Sequence, residues 1–306
     1  MHKRPHEVEI IGAPLDLGCN LRGANIAPAT VRIAGLADKL AELGIRALDS
    51  GDLPVPLRET LGEAAAAERY VHIIAEICDE LCTRIDRSLS FGRFPLVIGG
   101  DHSIAIGTIN GAANYFHRQG GELGLIWVDA HADMNTPATS PSGNVHGMPL
   151  STVLGLGHDA LTHVGGAGTR LRPENVALIG IRNLDAGEKE FVRQTGIAYH
   201  TMTEIDQRGI YAVITDALDD LCRRCSAIHL SFDLDGVDPL WAPGVSTPVP
   251  GGLTYREAHL LLEMVAARGI LRSMEFVEVN PMYDNNHQTA RLTIELALSA
   301  LGKAIV

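Results

Sequence analysis

The run Trp127-Val-Asp-Ala-His-Ala-Asp133 ends an apolar segment in two carboxylates and an imidazole at alternating positions. On a strand, residues i, i+2 and i+4 share one face. A strand continuing through this run would therefore aim Asp129, His131 and Asp133 at one point, which is half of a metal site. Two further stretches supply the other half. Gly99-Gly-Asp-His102-Ser has a glycine pair that lets the chain turn sharply and present His102. Ser231-Phe-Asp233-Leu-Asp235-Gly-Val-Asp238-Pro repeats the period-two spacing of acids. Taken singly, each of these residues would serve as readily in a helix cap or a core. Taken together, four inward-facing aspartates and two histidines cannot share a poorly solvated cleft without a cation, because their like charges destabilise one another by several kcal/mol. Carboxylate bridges with one imidazole per ion suit Mn²⁺, ahead of Fe²⁺ or Co²⁺, better than they suit a thiolate-ligated zinc. Six ligands are too many for one catalytic zinc and match two ions that share carboxylates. Two ions about 3.5–4 Å apart hold a water between them and lower its pKa toward neutrality.

Eight short runs rich in Val and Ile are the elements that must carry these residues: 8–11, 46–48, 95–98, 123–128, 176–181, 197–199, 227–232 and 274–279. Their nearly continuous hydrophobicity fits strands covered on both faces. Helical patterns alternate with them. Pro28 suits the first turn of a helix from Ala29 to Gly44, Glu63 to Leu89 is long and Ala-rich, and Ser103 to Arg118 starts on a Ser cap. Ile210 to Arg224 is amphipathic, Thr254-Tyr-Arg-Glu257 is a capping box for a helix to Arg268, and a last helix spans about Asn286 to Leu301. This alternation predicts a single α/β domain over residues 1–306, a three-layer α/β/α fold with a mostly parallel eight-stranded sheet. The Pro-, Gly- and Ser-rich stretches Asn135–His146 and Gly236–Gly252 begin directly after acidic strand ends. Open α/β sheets place ligands there, so both read as functional loops rather than linkers.

A formal net charge of −12 and the lack of a basic stripe exclude a nucleic-acid partner and suit a cationic small substrate. The charged start, Met1-His-Lys-Arg-Pro-His-Glu, runs directly into Val8-Glu-Ile-Ile-Gly12, without an apolar region of signal-peptide length. No run reaches the roughly 18 apolar residues of a membrane span, and a cytoplasmic location is the default expectation. Five scattered cysteines, among them Cys78, Cys82, Cys222 and Cys225, read as reduced structural thiols rather than a disulfide framework.

The segments Gly99-Gly-Asp-His-Ser103, Asp129-Ala-His-Ala-Asp133 and Ser231-Phe-Asp-Leu-Asp-Gly-Val-Asp-Pro239 together resemble the three signatures of the ureohydrolases, the arginase and agmatinase family. The likeness extends from Gly12-Ala-Pro-Leu-Asp-Leu-Gly18 to Glu275-Phe-Val-Glu-Val-Asn-Pro281. It implies the arginase/deacetylase-like fold and two Mn²⁺ ions per subunit. One ion would be held by His102, Asp129, Asp133 and Asp233 and the other by His131, Asp129, Asp233 and Asp235, with Asp129 and Asp233 bridging. It implies further that Glu278 pairs with a substrate guanidinium and that His146 relays a proton, a task its near-neutral reference pKa suits. Asn135, Ser140 and Ser142 match positions that bind an α-carboxylate, Asp185 and Glu188 those that meet an α-amino group, and Thr247 a further wall of the pocket. The expected reaction is arginase hydrolysis of L-arginine to L-ornithine and urea by a hydroxide between the ions, with Asp133 supporting its remaining proton. A homotrimer or homohexamer, with no nucleic-acid or membrane partner, completes what the resemblance implies.

The sequence departs from some relatives at Asn183, where they carry Asp, and at Ser246, where Gly is familiar. Both bear on fine specificity and not on the metal ligands. An agmatinase or another guanidino-substrate ureohydrolase is the nearest alternative, and a catalytically silent relative stands further off. A one-zinc, deacetylase-like centre is disfavoured by the second histidine and the paired aspartates.

Overall fold

Each of the eight apolar runs is a strand in the computed structural model: β1 (Glu7–Ala13), β2 (Arg46–Asp52), β3 (Phe94–Gly99), β4 (Leu123–Val128), β5 (Val176–Ile181), β6 (Ala198–Thr201), β7 (Ala227–Asp233) and β8 (Leu271–Val277). The structure describes residues 4–166 and 171–304. The first three residues of the charged start lie outside them. The strands form one sheet in the order β2-β1-β3-β8-β7-β4-β5-β6. Every pairing between these strands is parallel, so the sheet is parallel throughout rather than mostly so.

Helices cover both faces, as the near-continuous hydrophobicity requires. Every residue of β3, β4, β5 and β7 is buried. Ile10, Leu96, Ile126 and Leu230 pack toward the helices 27–33, 210–224, 255–268 and 288–300. Their strand neighbours Ile11 and Val97 pack the other way, toward 71–90 and 105–118. Burying each such side chain stabilises the fold by about 1.5–3 kcal/mol relative to exposure.

Several helix boundaries differ from the sequence pattern, each for a local reason. The expected helix from Ala29 to Gly44 is two, Ala27–Ile33 and Leu36–Glu42, because Gly35 at φ 98° cannot continue a right-handed helix. The long pattern from Glu63 to Leu89 breaks into Glu63–Ala67 and Val71–Ser90, with Arg69 and Tyr70 both left-handed at φ 53° and 56°. Ser103 is not the cap before Ala105–Arg118. Asp101 is, since its Oδ1 accepts from the Ser103 N–H (3.0 Å) and opens a 3₁₀ turn, His102–Ile104. Ile210–Arg224 and the Thr254/Glu257 capping box form as read, and the last helix spans Gln288–Ala300. The pattern missed Ala186–Thr195, which an Asp185/Glu188 capping box opens. All five cysteines are free thiols, and among the described residues no helix is long and apolar enough to cross a membrane.

The strand order places the chemistry. β3, β8, β7 and β4 are adjacent in the middle of the sheet, and their C-terminal ends deliver His102, Glu278, Asp233 and Asp129 to one crevice. Such a crevice beside a reversal of strand order is where parallel sheets accommodate ligands.

Candidate active site

The ligand-bearing segments turn immediately after their strands. A Cβ on Gly100 would meet the Leu15 carbonyl oxygen at 1.7 Å, so only glycine lets the loop after β1 press against β3 while the chain swings His102 inward. β4 stops at Val128, and Asp129–Asp133 is therefore not the strand that its spacing suggested. Asp129 Oδ1 accepts from the His131 N–H (2.6 Å), a local bond that draws the chain out of the pleat, and Asp133 lies in the left-handed region at φ 50°. Turn geometry rather than strand periodicity thus brings the three side chains together. The same device recurs after β7, where Asp233 Oδ1 accepts from the Asp235 N–H (2.7 Å) and sets the 3₁₀ turn Leu234–Gly236.

Two clusters result, and Asp129 belongs to both. His102, Asp129 and Asp133 converge in one, and Asp129, His131 and Asp235 in the other. His102 Nδ1 has Asp129 Oδ2 at 3.3 Å, Asp133 Oδ2 at 3.1 Å and Asp233 Oδ2 at 3.1 Å. Yet this fully buried nitrogen makes no hydrogen bond, since none of the three oxygens has hydrogen-bond geometry. Its other nitrogen, Nε2, is taken by Ser231 Oγ at 2.8 Å, which leaves Nδ1 to face the carboxylates. In the second cluster His131 Nδ1 lies 3.3 Å from Asp129 Oδ1 and 3.2 Å from Asp235 Oδ2. An orphaned buried imidazole nitrogen ringed by carboxylate oxygens fits a divalent cation with mixed nitrogen and oxygen donors.

The electrostatics demand positive charge in the same place. Burial, reinforced by the Asp129 charge, pushes Asp133 up to about 6. Burial together with Asp235 and Asp129 raises Asp233 well above the usual carboxylate range. Burial would strip the proton from His102, but the surrounding carboxylates reverse this and raise it well above the ordinary value.

Beside the clusters, Glu278 follows β8 in the left-handed region at φ 62°, its N–H donating to the Gly100 carbonyl (2.8 Å). Oε1 accepts from the His102 N–H (2.9 Å) and meets His146 Nδ1 at 3.1 Å, while the buried Oε2 has no partner. Burial alone would raise Glu278, but the His146 bond holds it below the usual carboxylate range. Burial alone would lower His146, and Glu278 instead holds it up to about 9.

The remaining expected residues group on the β4 side. Asn135 Nδ2 donates to Asp185 Oδ2 (2.8 Å), and Glu188 accepts from the Asp185 N–H (3.2 Å) and the Met134 N–H (3.3 Å). Burial, then the Asp133 charge, pushes Glu188 up to about 7. Ser140 Oγ accepts from Gly143 N–H (2.9 Å), and Ser142 Oγ from Asn144 N–H (3.2 Å). Thr247 Oγ1 donates to Asp235 Oδ2 (2.9 Å). Of the departures, Asn183 is exposed and Ser246 is buried, its Oγ accepting from Asn280 Nδ2 at 2.9 Å. A cavity of about 630 Å³ lined by Phe94, Leu271 and Lys303 opens at the opposite end of the strands and shares no residue with this site.

Residues 6–302 match a family model described as the arginase family. A curated arginase from Bacillus caldovelox is 48% identical, over 98% of this chain and 99% of its own length. The chain belongs to the arginase family. A structure of the arginase from that organism superposes with a TM-score of 0.94 at 47% identity, over 99% of this chain and all of the other. An arginase from Entamoeba histolytica, solved in complex with L-ornithine, does so with a TM-score of 0.90 at 29% identity, over 99% and 100%. The family is one of metal-dependent hydrolases, which agrees with the His/Asp clusters.

Within this arginase-family site, sequence reasoning overlooked three groups. Trp127 Nε1 donates to Asp129 Oδ2 (2.9 Å) and its ring stacks on His102 at 4.0 Å. Asp101, fully buried, accepts from the Gly18 N–H (2.7 Å), and the Gly18 carbonyl in turn accepts from the His146 N–H (3.1 Å). Ser231 orients His102 as described above. The signal for Trp127 and Ser231 was present, since each precedes a candidate ligand by two residues on a strand and so shares its face. Asp101 had no such signal.

Proposed function

We propose that this arginase-family chain hydrolyses L-arginine to L-ornithine and urea with two Mn²⁺ ions per subunit. The observation that carries the reading is the pair of clusters sharing Asp129, buried except for the half-buried His131, one of them holding the orphaned His102 Nδ1. His102, Asp129, Asp133 and Asp233 would hold one ion, and His131, Asp129, Asp233 and Asp235 the other. Bound there, the ions supply the Lewis acidity that turns water into a nucleophile at neutral pH.

This chain's own residues do the rest. Glu278 Oε2, buried and unpartnered, pairs with the guanidinium and holds its carbon beside the clusters. Asp133 accepts the hydrogen bond of the attacking water. His146, kept protonated by Glu278 up to about pH 9, delivers a proton to the departing amine nitrogen. Asn135, Ser140 and Ser142 take the α-carboxylate through neutral donors, Asp185 and Glu188 take the α-amino group, and Thr247 closes the pocket. The Entamoeba relative solved with L-ornithine supports an amino-acid-shaped ligand. A homotrimer or homohexamer in the cytoplasm belongs to the same reading, and light scattering tests the assembly.

The test compares urea release from L-arginine and from agmatine by Mn²⁺-loaded protein whose metal content is measured on the same sample. The reading requires higher kcat/KM on L-arginine. Preference for agmatine makes the chain an agmatinase, and no urea from either makes it a silent relative.

A further inference from the structure

One half-buried cation stands behind the carboxylates without pairing with any of them. Arg182 directly follows β5, and among the described residues it forms no salt bridge. All of its guanidinium hydrogens go to backbone carbonyls. Nη2 donates to Asp235 O (2.7 Å) and Val249 O (2.6 Å), Nη1 to Gly236 O (3.2 Å) and Gly180 O (3.3 Å), and Nε to Pro250 O (3.3 Å). A guanidinium has five N–H donors in a rigid planar fork, and here five carbonyls receive them. The loop is moulded to it, since a Cβ on Gly252 would meet Arg182 Nη2 at 2.6 Å.

The segments it ties share one cluster. The Arg182 N–H donates to Ala130 O (2.8 Å), and Ala130 lies between Asp129 and His131. Its side chain grips Asp235 and Gly236, and also Val249 and Pro250, whose loop carries Thr247 and thereby the bond to Asp235 Oδ2. Asp129, His131 and Asp235 are the members of the second cluster. The first shares Asp129, but its other two members are anchored elsewhere: Asp133 O accepts from Leu150 N–H (3.1 Å), and His102 is held by Ser231 and Glu278.

We propose that Arg182 is a positioning residue for the Asp129/His131/Asp235 cation site, keeping its ligands in register while leaving the His102/Asp133 site to other anchors. The sign of its effect separates geometry from charge. By charge alone a guanidinium near these carboxylates repels a divalent cation, so its removal would tighten binding. By position it is needed, and its removal weakens binding at one site only.

The inference rests on the two-ion reading and is tested on the full chain, stripped of metal and titrated with Mn²⁺, with stoichiometry and affinity read calorimetrically. Wild type takes two ions. Arg182→Met keeps one at wild-type affinity and binds the second about 10- to 100-fold more weakly, the usual range when a group supporting a ligand is lost. Arg182→Lys, which retains the charge and at most three donors, falls between them and carries the test if the methionine variant does not fold. Paired-ion coupling in the electron paramagnetic resonance spectrum disappears from Arg182→Met at the Mn²⁺ concentration that gives it in wild type. Equal weakening of both sites, unchanged binding, or tighter binding in Arg182→Met overturns the inference and leaves the two-ion reading standing. Uptake of a single ion by wild type overturns both.

Discussion

Asp129, Asp233 and Asp235 are buried at the ends of neighbouring strands, and each accepts at least one backbone N–H. A few residues past Asp133, Ser140 is half-buried and Ser142 exposed, and their hydroxyls are engaged with the N–H groups of their own loop. The first region combines local turn bonds with contacts between strands distant in the chain, while the second is held mainly by bonds within its own loop. Metal-ligand chemistry that must not shift sits at the sheet's strand ends, while recognition that can be tuned sits on the exposed part of a loop, whose Val145 alone reaches the core.

Removing the shared ligand tests the rigid side hardest. Asp129→Ala breaks both clusters, and urea release from L-arginine should fall by at least about 10³-fold, with less Mn²⁺ retained after dialysis. Full activity in this variant would remove Asp129 from the centre. Glu278→Gln keeps the shape and deletes the charge that faces the guanidinium. A loss of about 10²- to 10³-fold on every guanidino substrate, with both ions still bound, is expected, and a loss confined to L-arginine would move Glu278 to the recognition side.

His146 joins the two regions, since it belongs to the loop and bonds to Glu278. His146→Asn should lower kcat about 10²-fold without changing metal content. Its pairing also has a pH signature. The folded-state value is raised from 6.5 to about 9, so the stability it contributes is fully present below 6.5 and is lost as the pH rises through 9. The unfolding midpoint of wild type should therefore exceed that of His146→Asn most at pH 6 and converge with it by pH 10, whereas a constant gap would mean that the pair does not titrate. The smallest effect belongs to Ser142→Ala, expected to raise KM for L-arginine about 2- to 10-fold while leaving agmatine unchanged, as one lost hydrogen bond would. Equal change on both substrates would take Ser142 out of carboxylate recognition.

The positions of all eight strands and of the metal-ligand candidates were legible because both rest on short-range pattern: apolar runs for buried strands, and clustered acids and imidazoles at their ends. How the ligands converge was not legible. Asp129 and Asp133 have strand spacing, and only a bond to the His131 N–H and a left-handed Asp133 turn them into a cup. Gly35 inside a helical pattern was a visible break, whereas nothing local marks Arg69 and Tyr70 as left-handed. The five carbonyls around Arg182 come from segments up to 68 positions away, and no spacing rule encodes such a meeting. Asp185 and Glu188 read as ligands of an amino group, and they also form a capping box, a helix start that the pattern at 185–188 already contained.

The order of strands in the sheet has a consequence for biosynthesis. β7 adds to β4 first and β8 alone seats between β3 and β7, so a chain emerging from the ribosome exposes one open edge on β3 and another on β4 and then on β7 until residue 277 is released. Two edges made of residues that are buried in the finished sheet, left unpaired for that long, invite association with other nascent chains, and they make the last quarter of the polypeptide the segment that closes the molecule. Glu278 arrives with that closure. A chain stopped before β8 therefore carries His102, Asp129, His131, Asp133, Asp233 and Asp235 and still lacks both the strand that seats between β3 and β7 and the carboxylate that faces the guanidinium.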